Sequence, residues 1–309
     1  MAIVIIRQDG KSEEWKSAIQ ELAPDTNVYV HGDDFPKEEV SMALVWKHPE
    51  NSLNQYPELK LVSSMGAGVD FILEDPGLPE QVAISRVVDP LLAEDMSEFV
   101  LALVLGHIKN LNTYHGDHRR RWWQPIAYTR IKDTSVGIMG LGQLGAKVAL
   151  DLKGAGFQVS GWSRSSKDIP GITTYAGQEG LSDFLNDTNV LVCLLPLTPE
   201  TEGMLDEKFF EKVEEGTYLI NVARGGHLVE NDLLMAIENG KISGASLDVF
   251  QQEPLGVNHP FWEHDNILIT PHVASVSDMD SVASLLLENY RRLTDGDALR
   301  FEVSRSRGY

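Results

Sequence analysis

Apolar residues occur along the chain in short runs, and the pattern of these runs predicts strands that alternate with helices. Before residue 92, proline and glycine punctuate the polar stretches between the apolar runs at 3–6, 28–30, 42–46, 61–64 and 83–86. Runs of this kind, separated by segments long enough for a helix, indicate a small α/β domain of their own.

After residue 134 the alternation becomes regular. Predicted strands lie at 134–139, 157–162, 189–195, 217–222, 242–248 and 266–270, and predicted helices at 143–153, 179–186, 206–213 and 230–238. This spacing is typical of a doubly wound parallel sheet. A last helix, 278–293, follows that sheet, and we expect it to return to the first domain. The expected domains are therefore 1–92 with 276–309, and 93–275.

Between the two patterns lies a long helical segment, 91–113. Apolar side chains surround most of this helix, so we expect it to be buried, either between domains or between subunits. The basic and aromatic run His-Arg-Arg-Arg-Trp-Trp follows at 118–123. It is interpreted as a solvated helix end, a dimer contact or a pocket rim, and together with the buried helix it is the expected contact of a homodimer.

Composition narrows the class of protein. The formal net charge of −20 argues against nucleic-acid binding, which needs a basic surface. No apolar run approaches the roughly 18 residues that a membrane helix needs. The single cysteine, Cys193, excludes an intramolecular disulfide and fits a reducing compartment. We therefore expect a cytoplasmic protein with neither nucleic-acid nor membrane partners.

A glycine-rich turn follows the first strand of the regular sheet. Gly140, Gly142 and Gly145 form a G-x-G-x-x-G pattern, with Gln143 and Leu144 opening the next helix. Glycines in this position let backbone N–H groups approach a pyrophosphate at a helix N-terminus. The strand before and the helix after favour a bound dinucleotide over a tight turn without a ligand.

The end of the second strand indicates which dinucleotide is bound. NAD-binding sheets carry an acidic residue there, about 20 positions past the glycines, for the ribose 2′-hydroxyl. Here the strand ends instead in Ser163, Arg164 and Ser165. Hydroxyls and a guanidinium are donors that a 2′-phosphate requires, so NADPH is predicted over NADH. The alternative is that Arg164 stacks on adenine and tolerates either cofactor.

Three polar residues follow late strands, at the sheet edge where ligands bind in this architecture. They are Arg224, Glu253 and His272. An arginine can bind a substrate carboxylate through two hydrogen bonds, and a histidine can protonate the oxygen of a ketone that receives a hydride. A carboxylate bonded to the imidazole orients it and favours its protonated form. The three fit reduction of a 2-oxoacid, and no metal site is predicted.

Four ordered motifs now identify a resemblance over essentially the whole chain. The glycine turn, Asn-Val-Ala-Arg-Gly at 221–225, Leu-Asp-Val-Phe-Gln-Gln-Glu-Pro at 247–254 and Thr-Pro-His-Val-Ala at 270–274 resemble the D-2-hydroxyacid dehydrogenase family. Within it, the chain is similar to the short glyoxylate/hydroxypyruvate reductases of the A type. The resemblance implies two Rossmann-like domains, a doubly wound sheet for the cofactor and a smaller flavodoxin-like substrate domain.

The resemblance also implies roles for individual residues. Arg224 would bind the substrate carboxylate, His272 would be the acid/base and Glu253 its partner. Arg224 and His272 would also border the cofactor, together with Leu195, Pro196, Thr201, Val222, Ala223 and Asp248, the last near the nicotinamide amide. The backbone of Ala67, Gly68 and Val69 would contact the substrate carboxylate. Trp46 either caps the substrate or is a core tryptophan.

The expected activity is NADPH-dependent reduction of small 2-oxoacids, with glyoxylate and hydroxypyruvate as the leading substrates. Closure of two domains over the cleft would exclude water from the hydride path. Two alternatives stay open at this point. One is a reductase of a bulkier 2-oxoacid such as phenylpyruvate, and the other is a corepressor-like protein that senses a dinucleotide without catalysis.

Overall fold

In the computed structural model, which describes residues 1–309, the chain divides into two units. Residues 1–92 and 276–309 form the first unit, and residues 93–275 form the second. Each contains one parallel sheet with its own hydrophobic core, so each is described by itself below.

The first unit is built on five parallel strands. They are β1 (Ala2–Arg7), β2 (Asn27–Val30), β3 (Val40–Trp46), β4 (Leu61–Ser64) and β5 (Ala83–Ser85), in the order β2-β1-β3-β4-β5. Strands β1, β3 and β4 are buried along nearly their whole length, as their continuous apolar sequences require in a sheet covered on both faces.

Three helices belong to this unit: α1 (Ser12–Leu22), α2 (Asp70–Leu73) and α9 (Met279–Asp295). The side chain of Asp278 caps α9 by accepting a hydrogen bond from the Ser281 amide at 2.9 Å. Helix α9 packs against α1 and buries Val282 and Leu286. The chain then reaches the edge of the sheet, where the Val303 amide donates to the Ile84 carbonyl at 2.8 Å.

The second unit is built on seven parallel strands. They are β6 (Ser135–Met139), β7 (Gln158–Ser163), β8 (Thr173–Ala176), β9 (Val190–Cys193), β10 (Thr217–Asn221), β11 (Ile242–Leu247) and β12 (Ile267–Ile269), in the order β12-β11-β10-β9-β6-β7-β8. The order reverses between β6 and β9, the place where doubly wound sheets bind ligands. The predicted fold class, two Rossmann-like domains, is confirmed.

The connections of the second unit are helical. They include α4 (Leu111–Arg120), α5 (Gln143–Gly154), α6 (Leu181–Leu185), α7 (Glu207–Phe210) and α8 (Glu230–Glu238), preceded by α3 (Pro90–Ile108). Alternate residues of β9 enter different clusters of the core, Val190 and Val192 one and Leu191 and Cys193 the other. This period of two shows that both faces of the sheet are covered.

Two local predictions were wrong. The helix expected over 91–113 ends at Ile108, because Asn110 adopts a left-handed conformation with φ +58°, and α4 starts afresh at Leu111. Strand β8 was not predicted, since its sequence Thr-Thr-Tyr-Ala is short and lies partly exposed at the sheet edge beyond β7. None of the helices combines the length and the apolar character that spanning a membrane requires.

Candidate active site

The carboxyl ends of the parallel strands of the second unit lie along one edge of its sheet. The loops that leave β6, β7, β9, β10, β11 and β12 at this edge carry the residues that the sequence singles out in residues 140–272. Parallel strands bring these loops together although they are far apart in sequence. The geometry of this edge therefore depends on the path of each loop.

The turn after β6 gives each of its three glycines a separate function. Gly140 has φ +104°, and a side chain there would lie 2.6 Å from the Leu194 carbonyl oxygen. A side chain on Gly145 would overlap the Gly140 carbonyl, so this glycine lets α5 pack on the turn. Gly142, at the N-terminus of α5, faces open space. Open space before a helix N-terminus fits a pyrophosphate, and the turn therefore fits a dinucleotide.

The next strand, β7, ends beside this turn. The Gly140 amide donates to the Trp162 carbonyl at 2.8 Å, which places Ser163 next to the glycines. Ser163 is buried, and its hydroxyl donates to the Ser165 carbonyl at 2.8 Å, whereas Arg164 and Ser165 are exposed. No carboxylate occurs within 158–167. The exposed cation and hydroxyl suit a ribose phosphate, and no acidic residue within 158–167 repels it.

The charge of Arg164 reaches the loop after β9. A hydrogen bond from Thr198 and, more weakly, the Arg164 guanidinium lower the pKa of Glu200 in that loop. In the same loop the Thr201 hydroxyl donates to the Pro196 carbonyl at 2.7 Å and accepts from the Thr198 amide at 2.9 Å. These bonds give the loop a fixed path. Leu195, Val222 and Ala223 are buried at the bases of the loops after β9 and β10.

The loops after β11 and β12 bring Glu253 and His272 together. Nδ1 of His272 lies 2.8 Å from Oε2 of Glu253, and Oε1 of Glu253 accepts from the Phe250 amide at 3.1 Å. Both side chains are partly exposed, His272 by 25% and Glu253 by 18%. A carboxylate at Nδ1 fixes the tautomer that carries a proton there. Nε2 is then the nitrogen that can exchange a proton with a ligand.

Asp248, at the end of β11, holds the loop that carries His272. Its buried carboxylate accepts hydrogen bonds from the Thr270 hydroxyl at 2.6 Å and from the Val273 and Ala274 amides at 2.9 Å each. The His272 amide donates to the Asp248 carbonyl at 2.8 Å, and His272 has φ +55°. The carboxylate thus stabilises an unusual backbone conformation at the histidine. Its predicted position near a nicotinamide amide stays a prediction.

Arg224 follows β10 in an extended conformation, and its loop is fixed from three sides. The Arg224 guanidinium donates to the Ala223 carbonyl at 2.7 Å. The Asn221 side-chain amide donates to the Arg224 carbonyl at 3.0 Å. A side chain at Gly225 would collide with the Phe250 backbone, so this glycine lets the arginine loop lie against the residue that donates to Glu253. The loops of Arg224 and Glu253 are therefore in direct contact.

Two residues of this edge were missed by the sequence reasoning. Asn221 orders the Arg224 loop, as described above. His227 is fully buried, with Nδ1 3.0 Å from the Arg224 carbonyl and Nε2 3.2 Å from the Pro196 carbonyl. Neither residue follows a periodic pattern, and both act on backbone carbonyls, so their position at the end of β10 and in the loop after it is the one signal in the sequence.

The predicted substrate residues of the first unit lie at the end of β3 and after β4. The Trp46 ring covers Gly66, where a side chain would lie 2.8 Å from its Cζ3, and packs edge-on against Phe71. The Ser64 hydroxyl donates to the Gly68 carbonyl at 2.7 Å. The side chain of Val69 is buried, whereas Ala67 and Gly68 are partly exposed. Trp46 is thus partly buried, and its role toward a substrate stays a prediction.

Known proteins resemble this chain over its full length. The "Glyoxylate/hydroxypyruvate reductase A" of Yersinia enterocolitica is 38% identical over 316 residues and covers 100% of both chains. The protein with the same name from Escherichia fergusonii is 40% identical over 302 residues and covers 96% of each.

Solved structures also resemble this chain over its full length. A D-isomer specific 2-hydroxyacid dehydrogenase from Xanthobacter autotrophicus Py2, in complex with NADPH and MES, has a TM-score of 0.94 and 39% identity, and covers 100% of this chain and 99% of that one. An NADPH-dependent glyoxylate/hydroxypyruvate reductase from Sinorhizobium meliloti, in complex with NADP and sulfate, has a TM-score of 0.91 and 36% identity, and covers 100% of both. The model of the NAD-binding domain of D-isomer specific 2-hydroxyacid dehydrogenases matches residues 101–274. By sequence, fold and the position of its polar residues, the chain belongs to the D-isomer specific 2-hydroxyacid dehydrogenase family.

Proposed function

We propose that the protein reduces small 2-oxoacids with NADPH, glyoxylate to glycolate and hydroxypyruvate to D-glycerate. The observation that carries this proposal is the 2.8 Å contact between His272 Nδ1 and Glu253 Oε2. It lies at the sheet edge that also carries the glycine turn and Arg224. The names of the relatives from Yersinia enterocolitica and Sinorhizobium meliloti support the same substrates.

The side chains divide the reaction between them. When bound, NADPH supplies the hydride that reduces the carbonyl carbon of the substrate. Arg224 binds the substrate carboxylate and fixes the carbonyl in position. His272 gives the proton on Nε2 to the carbonyl oxygen, where negative charge develops, and regains a proton from water afterwards. Glu253 accepts the hydrogen on Nδ1 and so orients the ring, which leaves Nε2 for the substrate.

The preference for NADPH rests on the end of β7. Arg164 and Ser165 are exposed there, Ser163 lies beside the glycine turn, and no carboxylate is present within 158–167. The 2′-phosphate would bind the guanidinium and the hydroxyls through charge-assisted hydrogen bonds. The relatives from Xanthobacter autotrophicus and Sinorhizobium meliloti were solved with NADPH and NADP.

One assay tests the proposal. The oxidation of NADPH is followed by absorbance with glyoxylate, hydroxypyruvate, pyruvate and phenylpyruvate, and NADH is measured alongside. We expect the highest kcat/KM with glyoxylate or hydroxypyruvate and NADPH. A higher kcat/KM with phenylpyruvate would support the bulkier substrate class. Turnover of none of the four would overturn the proposed activity, and faster turnover with NADH would overturn the cofactor preference.

We further propose a homodimer, formed through α3 and the aromatic and basic segment that follows it. In this segment Trp123 is 97% exposed, and Trp122 and Tyr128 are also mostly exposed, beside the basic end of α4. Tryptophan, tyrosine and arginine are enriched in protein interfaces, and large exposed apolar patches are unusual in monomers. Sedimentation equilibrium should give twice the mass of the chain, and Trp123→Glu should give the monomer. A monomeric wild type would refute the dimer.

A cytoplasmic location stays a prediction from the composition.

A further inference from the structure

We infer that His227 is a positioning residue that joins the Arg224 loop to the loop predicted to line the cofactor. The inference rests on the proposed function, because that function gives the two loops their ligands. His227 has no exposed surface. Its Nδ1 lies 3.0 Å from the Arg224 carbonyl oxygen and its Nε2 lies 3.2 Å from the Pro196 carbonyl oxygen. One imidazole therefore bridges the residues that follow β10 and β9.

Both neighbours of the ring are hydrogen-bond acceptors. A carbonyl oxygen needs an N–H donor, and the neutral imidazole has one N–H whereas the imidazolium has two. Each carbonyl also accepts other bonds: Arg224 from the Asn221 side chain at 3.0 Å and from the His227 amide at 3.4 Å, and Pro196 from the Thr201 hydroxyl at 2.7 Å. The ring therefore donates to one of the two carbonyls when it is neutral and to both when it is protonated, and in either state it lies between the two loops. It connects two separately ordered loops.

The remaining links between these loops lie farther along the chain. The Gly203 amide donates to the Gly226 carbonyl at 2.8 Å, and the Leu205 amide donates to the His227 carbonyl at 2.9 Å. These backbone bonds do not depend on the side chain of residue 227. The imidazole reaches back toward Pro196 and Arg224, which precede the backbone pairing and face the ligands. Loss of the ring should thus leave the fold intact and loosen the ligand-facing ends.

The proposed reaction is sensitive to the distance between these two loops. Hydride transfer needs the carbonyl carbon and the nicotinamide in near-attack geometry, and small displacements cost large factors in rate. Arg224 sets the position of the substrate, and Pro196 lies in the loop that sets the position of the cofactor. A rigid bridge between their carbonyls fixes the two ligands relative to each other.

Two substitutions of His227 distinguish its contact with Arg224 from its contact with Pro196. The amide nitrogen of asparagine lies near the position of Nδ1, so His227→Asn keeps a donor for Arg224 and loses the one for Pro196. The amide nitrogen of glutamine lies near Nε2, so His227→Gln keeps the donor for Pro196 and loses the one for Arg224. We expect His227→Asn to raise the Kd of NADPH by about fivefold and to leave the KM of the oxoacid nearly unchanged. We expect the reverse for His227→Gln.

The variant His227→Leu removes both ring nitrogens, and we expect its kcat/KM to fall by about 100-fold. His107→Phe is the matched control, since it replaces a partly buried histidine that stacks on Tyr218 of β10 and does not contact the loop after that strand. It should leave Kd and KM unchanged. Urea unfolding of all four variants tests whether the fold is retained.

The possible results for the His227 variants lead to different conclusions. Opposite changes in the Asn and Gln variants support the bridge. Equal changes in both, or unchanged constants in all three His227 variants, overturn it. If the wild type turns over no 2-oxoacid, the proposed function fails, and the Kd of NADPH in the Asn and Gln variants still decides the cofactor half of the inference. If the wild type also fails to bind NADPH, both proposals are refuted.

Discussion

In the proposed reaction Arg224 and His272 act on different parts of the same substrate, so their substitutions should have different kinetic effects. Arg224→Ala removes binding of the carboxylate, and we expect KM to rise by about 100-fold with a smaller change in kcat. His272→Ala removes the proton donor, and we expect kcat to fall by at least about 100-fold with little change in KM. Steady-state kinetics with glyoxylate measure both effects. The opposite pattern would mean that the two roles are misassigned.

Arg164 is exposed, so its removal should not disturb the fold. If its guanidinium binds a 2′-phosphate, Arg164→Ala should lower kcat/KM with NADPH by about tenfold, because a charge-assisted bond to the phosphate is lost. The kcat/KM with NADH, which has no 2′-phosphate, should change much less. Both cofactors are titrated with the same variant. An equal fall with both would instead favour stacking of Arg164 on adenine, which makes no use of the phosphate.

The residues of the candidate site were predictable where strand ends place them. Arg224, Glu253 and His272 follow parallel strands, whose carboxyl ends share one edge, so their proximity could be inferred without coordinates. The bonds of Asp248 and His227 to backbone groups could not, because they depend on the path of each loop. Asp248 illustrates the difference: the strand predicts its position, and the hydrogen bonds to Thr270, Val273 and Ala274 give it a function at the histidine loop.

At the scale of elements, the apolar pattern predicted the buried strands well and failed at two places. The strand at 61–64 and the helix at 230–238 have the predicted bounds. The spacing of apolar positions does not indicate which residue adopts a left-handed conformation, so the break of the long helix at Asn110 was missed. Strand β8 lies at the sheet edge and needs little apolar sequence, so it carried no signal.

The end of α3 gives a pH-dependent stability. His107 lies in its last turn and stacks on Tyr218 with 3.8 Å between ring centroids, and burial lowers the pKa of His107 to about 4. The unfolded chain binds a proton near pH 6.5, whereas the folded one does not until about pH 4. The stabilisation is therefore fully present above pH 6.5 and is lost as the pH falls toward 4. Between pH 7 and pH 5 this one group should lower the free energy of unfolding by about 2 kcal/mol.

The variant His107→Phe keeps a ring on Tyr218 and removes the titration. Its free energy of unfolding should fall by about 2 kcal/mol less than that of the wild type between pH 7 and pH 5. Urea unfolding at the two pH values measures the difference, and other titrating groups contribute equally to both proteins. Identical losses in the two proteins would show that His107 is protonated in the folded state.

At the scale of the whole molecule, the proposed cofactor site lies within one of the two units. The glycine turn, the end of β7 and the loops after β9 and β10 all belong to residues 93–275. Local electrostatics must also overcome the net charge of −20, which repels an anionic cofactor at long range. In the proposed site, Arg164 after β7 and the N-terminus of α5 would supply positive potential for the 2′-phosphate and the pyrophosphate.

This confinement predicts that NADPH stabilises the units unequally. A ligand at 100 times its Kd stabilises the structure that binds it by about 2.7 kcal/mol, and a unit that unfolds independently gains nothing. Amide hydrogen exchange should therefore slow by about 100-fold in β6, β9 and β10 when NADPH is added. Exchange in β1, β3 and β4, the core strands of the other unit, should change by less than about threefold. Equal protection in both sheets would show that the two units unfold as one cooperative body, and loss of protection in Gly142→Val would assign the effect to the glycine turn.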